Sequence, residues 1–262
     1  MRPAVARAVR LRGRWPLPAG PAVCVLGWHR VDVEGGRLAV CPGLFARQME
    51  ILDIRRRQFP VVHVEHARGV LAQGASAHCV VLTFDDAWAD NHANALGPLS
   101  HHRLPATLYV PSRLLGAPGY MTRSQLLEMD AEGVVIGAHS RTHADLRACD
   151  PAELESQVRG SKEDLEDLVA KPVTSFAYPA GLLNDRVVAA VSAAGFATAV
   201  TTRPGWWRRT TEDLLIPRGF AEDFTEATFR AAIRGGLSIL RPLDAINRLA
   251  PPRLPRRRLA QS

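Results

Sequence analysis

The sequence predicts an α/β protein in which parallel strands alternate with helices and curl toward a barrel. Its first sign is a change of pattern from about Pro21, where short apolar runs begin to alternate with longer segments of helical apolar spacing. Such alternation builds a parallel sheet with helices packed against it. The number of units is the second sign: six or seven suit closure into a barrel better than a small open sheet. Composition is the third, since 47% hydrophobic and 23% charged residues in a chain of 262 are globular values with enough apolar side chains for a sizeable core. A barrel of this kind gathers its functional residues where the strands end.

The elements follow in order. "AVCVLGW" reads as a strand and "CPGLFARQMEILDIRRRQF" as a helix with Leu44, Phe45, Met49, Leu52 and Ile54 loosely on one side. "PVVHVEHA" reads as a short strand and "HCVVLTF" as a strongly buried one. "NHANALGPLSHHRL" is helical up to Pro105, and "ATLYVP" is a strand. "TRSQLLEMDAEG" has a Thr cap and a Gly stop. "VVIGAH" is a strand, and "DPAELESQVRGSKEDLEDLVA" is the longest helix, opened by Asp150 with Pro151 in its first position. "VTSFAYP" and "FATAVTT" are strands on either side of the helix "NDRVVAAVSAAG". Beyond Glu222 the pattern changes to "FTEATFRAAIRGGLSILRPL", a surface helix, and then to a Pro/Arg-rich tail.

Charge is segregated. The formal net charge is +7, but the ends carry +10: five Arg without an acid in residues 1–20, six Arg with one Asp in residues 241–262. Residues 21–240 are therefore left with −3, which argues against a broad phosphate-binding face on the domain and places the basic signal in the ends. No nucleic-acid partner is expected, a binder of nucleic acid or anionic membrane through the Arg-rich ends being a rival reading. The basic ends suit peripheral contact with an anionic membrane. Arg7, Arg10, Arg12 and Arg14 interrupt what would be the apolar part of a signal peptide, and no apolar run is long enough for a transmembrane helix. A cytoplasmic or peripheral-membrane location is the expectation. Cys24, Cys41, Cys79 and Cys149 form no CxxC pair, and Cys24 and Cys79 lie in apolar runs as buried thiols.

Four short stretches carry ionisable or turn-forming residues at strand exits. In "CVLGWHRVDVE", His29 ends an apolar run, where a structural strand cap is the plain alternative to chemistry. "CVVLTFDDAWADN" sets Asp85 and Asp86 side by side after a buried strand. Two like charges so close need a cation or a proton between them, unless they serve only as a turn or helix cap. "VVIGAHSRTHADL" spaces His139 and His143 four apart, close enough on a compact loop to reach one ion. Asp plus two His with open positions is a plausible catalytic donor set for a divalent metal. "VTSFAYPAGLLND" runs a strand into a Pro–Ala–Gly turn that can aim a backbone N–H.

"LTFDDAW…N", "GAHSRTHADL" and "SFAYPAG…N", in this order, resemble the polysaccharide deacetylase family (NodB homology, carbohydrate esterase family four) over roughly residues 21–220. The resemblance implies a distorted (β/α) barrel of about seven strands and metal-dependent removal of N- or O-acetyl groups from sugars. It implies Asp85 as catalytic base and Asp86, His139 and His143 as metal ligands. Ala180 would offer a backbone N–H to the oxyanion, with Tyr178 and Arg218 on the same oxyanion and substrate-binding side. The family pattern is broken at Ala177, often an Arg that orients the base, at Ala180, usually aromatic, and at Ala87, commonly Gly. Arg218 is the candidate to replace the missing guanidinium. No histidine follows His143, so the family's C-terminal acid is lacking. "VLGWHRV" instead resembles the N-terminal strand of the circularly permuted poly-N-acetylglucosamine deacetylase subgroup, which implies His29 as general acid.

Taken together, these implications describe a hydrolase acting on N-acetylhexosamine units of a polysaccharide, oligosaccharide or glycolipid. Zn²⁺ is the first expected cofactor, and Co²⁺, Ni²⁺, Mn²⁺ or Fe²⁺ also suit the donors. The rival of a different class is a carbohydrate-binding pseudoenzyme of the same fold. The expected organisation is a basic tail over 1–20, a deacetylase-like domain over 21–222, and a C-terminal helix and tail over 223–262.

Overall fold

The computed structural model describes residues 18–34, 36, 38–72 and 78–235. Both basic tails, apart from residues 18–20, lie outside this range. Within it, β1 (Ala22–Trp28) and β4 (His78–Asp85) are buried along their whole length and pair in parallel, Ala22 opposite His78 through Trp28 opposite Phe84. Strands buried on both faces read as unbroken apolar runs, which is how both appear in the sequence. The sheet continues through β5 (Thr107–Val110), β6 (Val135–Ala138), β7 (Ser175–Ala177) and β8 (Thr198–Val200), every pairing parallel. On the other side of β1 lies β9 (Gly219–Phe220), giving the order β8-β7-β6-β5-β4-β1-β9. A separate two-stranded ribbon joins β2 (Arg30–Val31) to β3 (Ala39–Val40). Seven parallel strands with helices outside are the distorted (β/α) barrel the sequence predicted.

One stretch of chain spans the two sheet edges. Residues 213–218 bond to β8 and its exit, with Ile216 N–H to Ala199 O at 2.9 Å and Thr201 N–H to Ile216 O at 2.8 Å. The next residues form β9 on β1, and Ala221 N–H reaches Gly27 O at 2.9 Å. The same stretch thereby carries Arg218 to the neighbourhood of β1 and β4.

Two apolar clusters follow the alternation of the strands. Val23, Val25, Cys79, Val81, Tyr109, Ala177, Val200 and Ile216 gather in one, together with Val64, Ala67 and Leu71 of α2 (Val64–Ala72). The intervening residues Cys24, Leu26, Val80, Leu82 and Phe84 pack in the larger cluster beneath α1 (Pro42–Arg55) and the other helices. Because side chains alternate along a strand, Thr83 and Asp85 fall on the Cys79–Val81 side. Both thiols are buried, which raises their pKa, that of Cys79 to about 12.

The remaining helices are α3 (Leu96–His102), preceded by one π turn at Asn91–Ala95, then α4 (Arg123–Ala131), α5 (Pro151–Val169), α6 (Asp185–Ala193) and α7 (Glu226–Ala232). Thr122 and Gln125 form a reciprocal capping box on α4, while Asp150, Asn184 and Thr225 cap α5, α6 and α7.

Two expectations need correction. "PVVHVEHA" is not a strand: after an isolated parallel bridge from Val61 to Val80 the chain turns into α2. Val64, Ala67 and Leu71, at helical spacing, bury against the lower strands and decide the matter. The helix beyond Glu222 is not a surface helix in its described part. Phe229 of α7 is fully buried with its ring 6.3 Å from that of Trp28, so the core continues past Glu222. Residues 236–243 of that predicted helix lie outside the described residues. Among the described residues no helix is long and apolar enough to cross a membrane.

Candidate active site

All the strands of the main sheet run the same way, so the exits of β1, β4, β6 and β7 meet at one end of the barrel. At the exit of β4 the chain turns through two left-handed residues, Asp86 (φ 72°) and Ala87 (φ 56°). The turn separates the two adjacent carboxylates into different environments.

Asp85 is buried and meets Arg218, which is fully buried, through two parallel bonds: Nη1 to Oδ1 and Nη2 to Oδ2, both 2.6 Å. Arg218 Nη1 also donates to Thr83 Oγ1 at 3.1 Å. Burial pushes the Asp85 carboxyl up, but the guanidinium charge outweighs this and holds it below the ordinary carboxylate range. Arg218 thus stands beside Asp85, where the missing guanidinium was sought, and not open to a ligand.

Asp86 faces the histidine loop. Its Oδ1 lies 3.5 Å from Nε2 of both His139 and His143. His139 Nδ1 donates to Ala177 O at 2.7 Å, which turns Nε2 and its lone pair toward Asp86. Ser140 (φ 62°) and His143 (φ 57°) close the loop, and His143 N–H donates to Ser140 Oγ at 3.0 Å. Helix α5 holds this loop from outside: Gln157 Oε1 accepts Arg141 N–H and Thr142 N–H, and Asp164 takes the Arg141 guanidinium at 2.9 Å. Burial raises the Asp86 carboxyl, yet the neighbouring His139, and after it His143, bring it well below the usual range. Burial, and after it the neighbouring His139, lowers the His143 pKa, which favours the neutral ring that can ligate. One donor atom each from Asp86, His139 and His143 lies within 4.8 Å of the others, and this carboxylate–imidazole–imidazole set fits a divalent metal ion.

His29, just past β1, brings the fourth stretch to the same place. Its Nε2 is 3.9 Å from Asp85 Oδ2, and its Nδ1 donates to Glu222 Oε1 at 2.7 Å. Glu222 Oε1 also accepts the His29 backbone N–H at 3.0 Å. The imidazole lies against the Phe220 ring, centroids 4.7 Å apart and planes 24° apart. Burial opposes the charged ring, but the Glu222 hydrogen bond and the Asp85 charge outweigh it and raise the pKa. The loop is tied to the residues after Asp86: Asn91 Nδ2 donates to His29 O, Asp90 Oδ1 accepts Val31 N–H, and Asn94 Nδ2 donates to Val31 O.

The third stretch divides. Ala180 is left-handed (φ 51°), in a turn whose own bonds are Gly181 N–H to Tyr178 O and Leu182 N–H to Pro179 O, neither using the Ala180 N–H. Tyr178 is not a ligand-facing residue, and that expectation is corrected. Its ring is buried against Phe176, its hydroxyl donates to Leu214 O at 3.0 Å, and its N–H goes to Val200 O. Sequence reasoning missed Glu222 and Phe220. The available signal was the spacing of Arg218, Phe220 and Glu222 two apart around the short β9, which in extended chain places three side chains on one side.

A family model described as polysaccharide deacetylase matches residues 72–199. A chitooligosaccharide deacetylase of Sinorhizobium fredii is 30% identical over 158 residues, 58% of this chain and 71% of that protein. A Bacillus subtilis relative with a provisional polysaccharide deacetylase name is 30% identical over 130 residues, 50% of this chain. The chain spans 47% of that relative's length. The solved structure of a Streptococcus pyogenes deacetylase in complex with acetate shares the fold, with TM-score 0.75 at 22% identity over 82% of this chain and 99% of that one.

Proposed function

This chain belongs to the polysaccharide deacetylase family, and we propose that it hydrolyses the acetamide of N-acetylhexosamine units in a polysaccharide, oligosaccharide or glycolipid. One observation carries the reading. Asp85 and His29 face each other at 3.9 Å, each gripped by an opposite charge, beside the three clustered donors Asp86, His139 and His143.

Asp86, His139 and His143 would hold the divalent ion, which when bound supplies a Lewis acid and a water of lowered pKa. The chain's own groups divide the remaining work. Asp85, kept ionised by Arg218, accepts the proton of the attacking water. As the carbonyl carbon becomes tetrahedral, the Ala180 N–H is available to its oxygen as negative charge develops there. The amine leaves poorly as an anion, and His29, its charged form favoured by Glu222, donates the proton that lets the carbon–nitrogen bond break. The products balance as acetate and a free sugar amine.

The test is acetate release from N-acetylglucosamine oligomers and glycolipids, with and without chelator. Chelator-sensitive release is expected. Binding of these sugars with no release on any of them, metal present, would identify a pseudoenzyme instead.

A further inference from the structure

We propose that Trp88 is a positioning residue for the Asp86 carboxylate, its indole N–H selecting the oxygen that faces the two histidines. This rests on the reading of Asp86, His139 and His143 as a metal site. A carboxylate can rotate, and it can ligate through one oxygen or both. Here the two oxygens have different surroundings. Oδ1 is the atom 3.5 Å from both imidazole Nε2 atoms, whereas Oδ2 accepts the Trp88 indole N–H at 3.1 Å. An indole N–H only donates, so it cannot compete for the ion and can only hold the carboxylate.

The indole is itself held from several directions. Tyr120 stacks on it, centroids 4.5 Å apart and planes 20° apart, and the two residues form an antiparallel backbone bridge. The Arg30 guanidinium lies over the ring at 5.3 Å and is anchored by Asp90 and Asp32, each at 2.7 Å. Gly119 (φ +87°) comes so close that a Cβ there would sit 3.4 Å from the indole, and its carbonyl accepts Ala89 N–H at 2.9 Å. A tryptophan serving only as surface filler needs neither the bridge nor an aimed N–H. Each donor side chain of the cluster with a fixed orientation thus has an outer partner: Ala177 O for His139, Trp88 for Asp86. Partners of this kind typically alter metal affinity 10–100-fold (an order-of-magnitude range) when removed.

The experiment is zinc titration against a chromophoric chelator, with the absorption spectrum of the cobalt-loaded protein as a second readout, on the parent, W88F, Y120L and D86A. W88F keeps an aromatic ring for Tyr120 and Arg30 and loses the N–H. Its zinc affinity should fall at least about tenfold, with an altered cobalt spectrum and an unchanged melting temperature of the metal-free protein. Y120L keeps the N–H and should lose much less. Equal affinity and spectrum in the parent and W88F would overturn the proposal. So would an equal loss in Y120L, since packing alone would then position Asp86. Failure of the parent to bind zinc, or binding undiminished in D86A, would instead overturn the metal-site reading. Should W88F not fold, indole ¹⁵N spectra of the parent decide. One of the five tryptophan signals, slow to exchange and displaced by zinc, supports the role, and five unaffected signals overturn it.

Discussion

Arg218 and Glu222, four residues apart at β9, grip the two groups proposed to move protons: Arg218 takes Asp85 with two 2.6 Å bonds and Glu222 takes His29 Nδ1 at 2.7 Å. Between them the Phe220 ring lies 4.6 Å from the guanidinium and 4.7 Å from the imidazole. One stretch of chain therefore fixes Asp85 and His29 relative to each other. It also sets their charges in opposite senses, holding Asp85 ionised and favouring protonated His29. Divergent environments of this kind let two neighbouring groups take opposite roles at one pH.

Glu222→Gln preserves shape and removes the charge behind His29. The His29 pKa, raised in the parent, should fall. The acid must be protonated to work, so activity declines as pH rises through its pKa. The descending limb of kcat/KM against pH should accordingly move to lower pH in the variant, with metal content unchanged. A pH–rate profile checks this, and a stationary descending limb would show that His29 is not the titrating acid.

The two aspartates should fail differently. Asp86→Ala, His139→Ala and His143→Ala should each abolish stoichiometric metal binding. Asp85→Asn should retain the ion and lose roughly 10²–10⁴-fold in turnover, the usual worth of a positioned base. It also leaves the buried Arg218 without a counter-charge, and removing one partner of such a pair costs about 3–5 kcal/mol, visible as a lowered melting temperature. Metal analysis after dialysis, beside acetate release, separates the classes. An Asp85→Asn protein that loses its metal and keeps its rate would reverse the two roles.

How much of this was legible beforehand follows from locality. Asp85, Asp86, His29, His139 and His143 each close an apolar run within a few residues, and parallel strands bring all such exits to one end. Helix caps at Thr122, Asp150 and Asn184 are equally local signals. Glu222 was hidden because β9 has only two residues and its partner His29 is 193 positions away. Tyr178 was misplaced for a related reason, since its hydroxyl partner, Leu214 O, comes from a distant loop. The α2 error shows local ambiguity, as Val61, Val62 and Val64 fit both a strand and a bridge followed by a helix. Only burial of Val64, Ala67 and Leu71 against the lower strands distinguishes them.

Gly27 permits the close approach of the β9 stretch. A Cβ there would sit 2.8 Å from Phe220 Cε1 and 3.2 Å from Arg218 Cδ. Gly27→Ala must displace the ring that spaces Arg218 from His29, and overpacking of this kind costs about 1–3 kcal/mol. The variant should melt lower and lose activity, while its zinc affinity stays near that of the parent because none of the three ligands is touched. Calorimetry, zinc titration and acetate release on the same preparation test this. Full activity in Gly27→Ala would show that the close approach is not needed.

The most discriminating variant is His29→Ala. If His29 delivers the proton to the departing amine, its removal should leave metal and fold in place and cost roughly 10²–10⁴-fold in turnover on an N-acetyl sugar. An activated ester such as nitrophenyl acetate expels a leaving group that needs no proton, so the same variant should lose far less on it. A purely structural histidine would behave otherwise. His29 binds Glu222 through both its ring and its backbone N–H, and Asn91 takes its carbonyl. Two of those three bonds are to backbone atoms and survive truncation to alanine, so the strand exit should stay in place. If the exit nevertheless shifted, Asp85 would be misplaced for both substrates alike. Rates on amide and ester, read beside the melting temperature, therefore distinguish acid from cap. An equal loss on the two substrates with a lowered melting temperature would make His29 a structural residue, whereas a loss confined to the amide at unchanged stability makes it the proton donor.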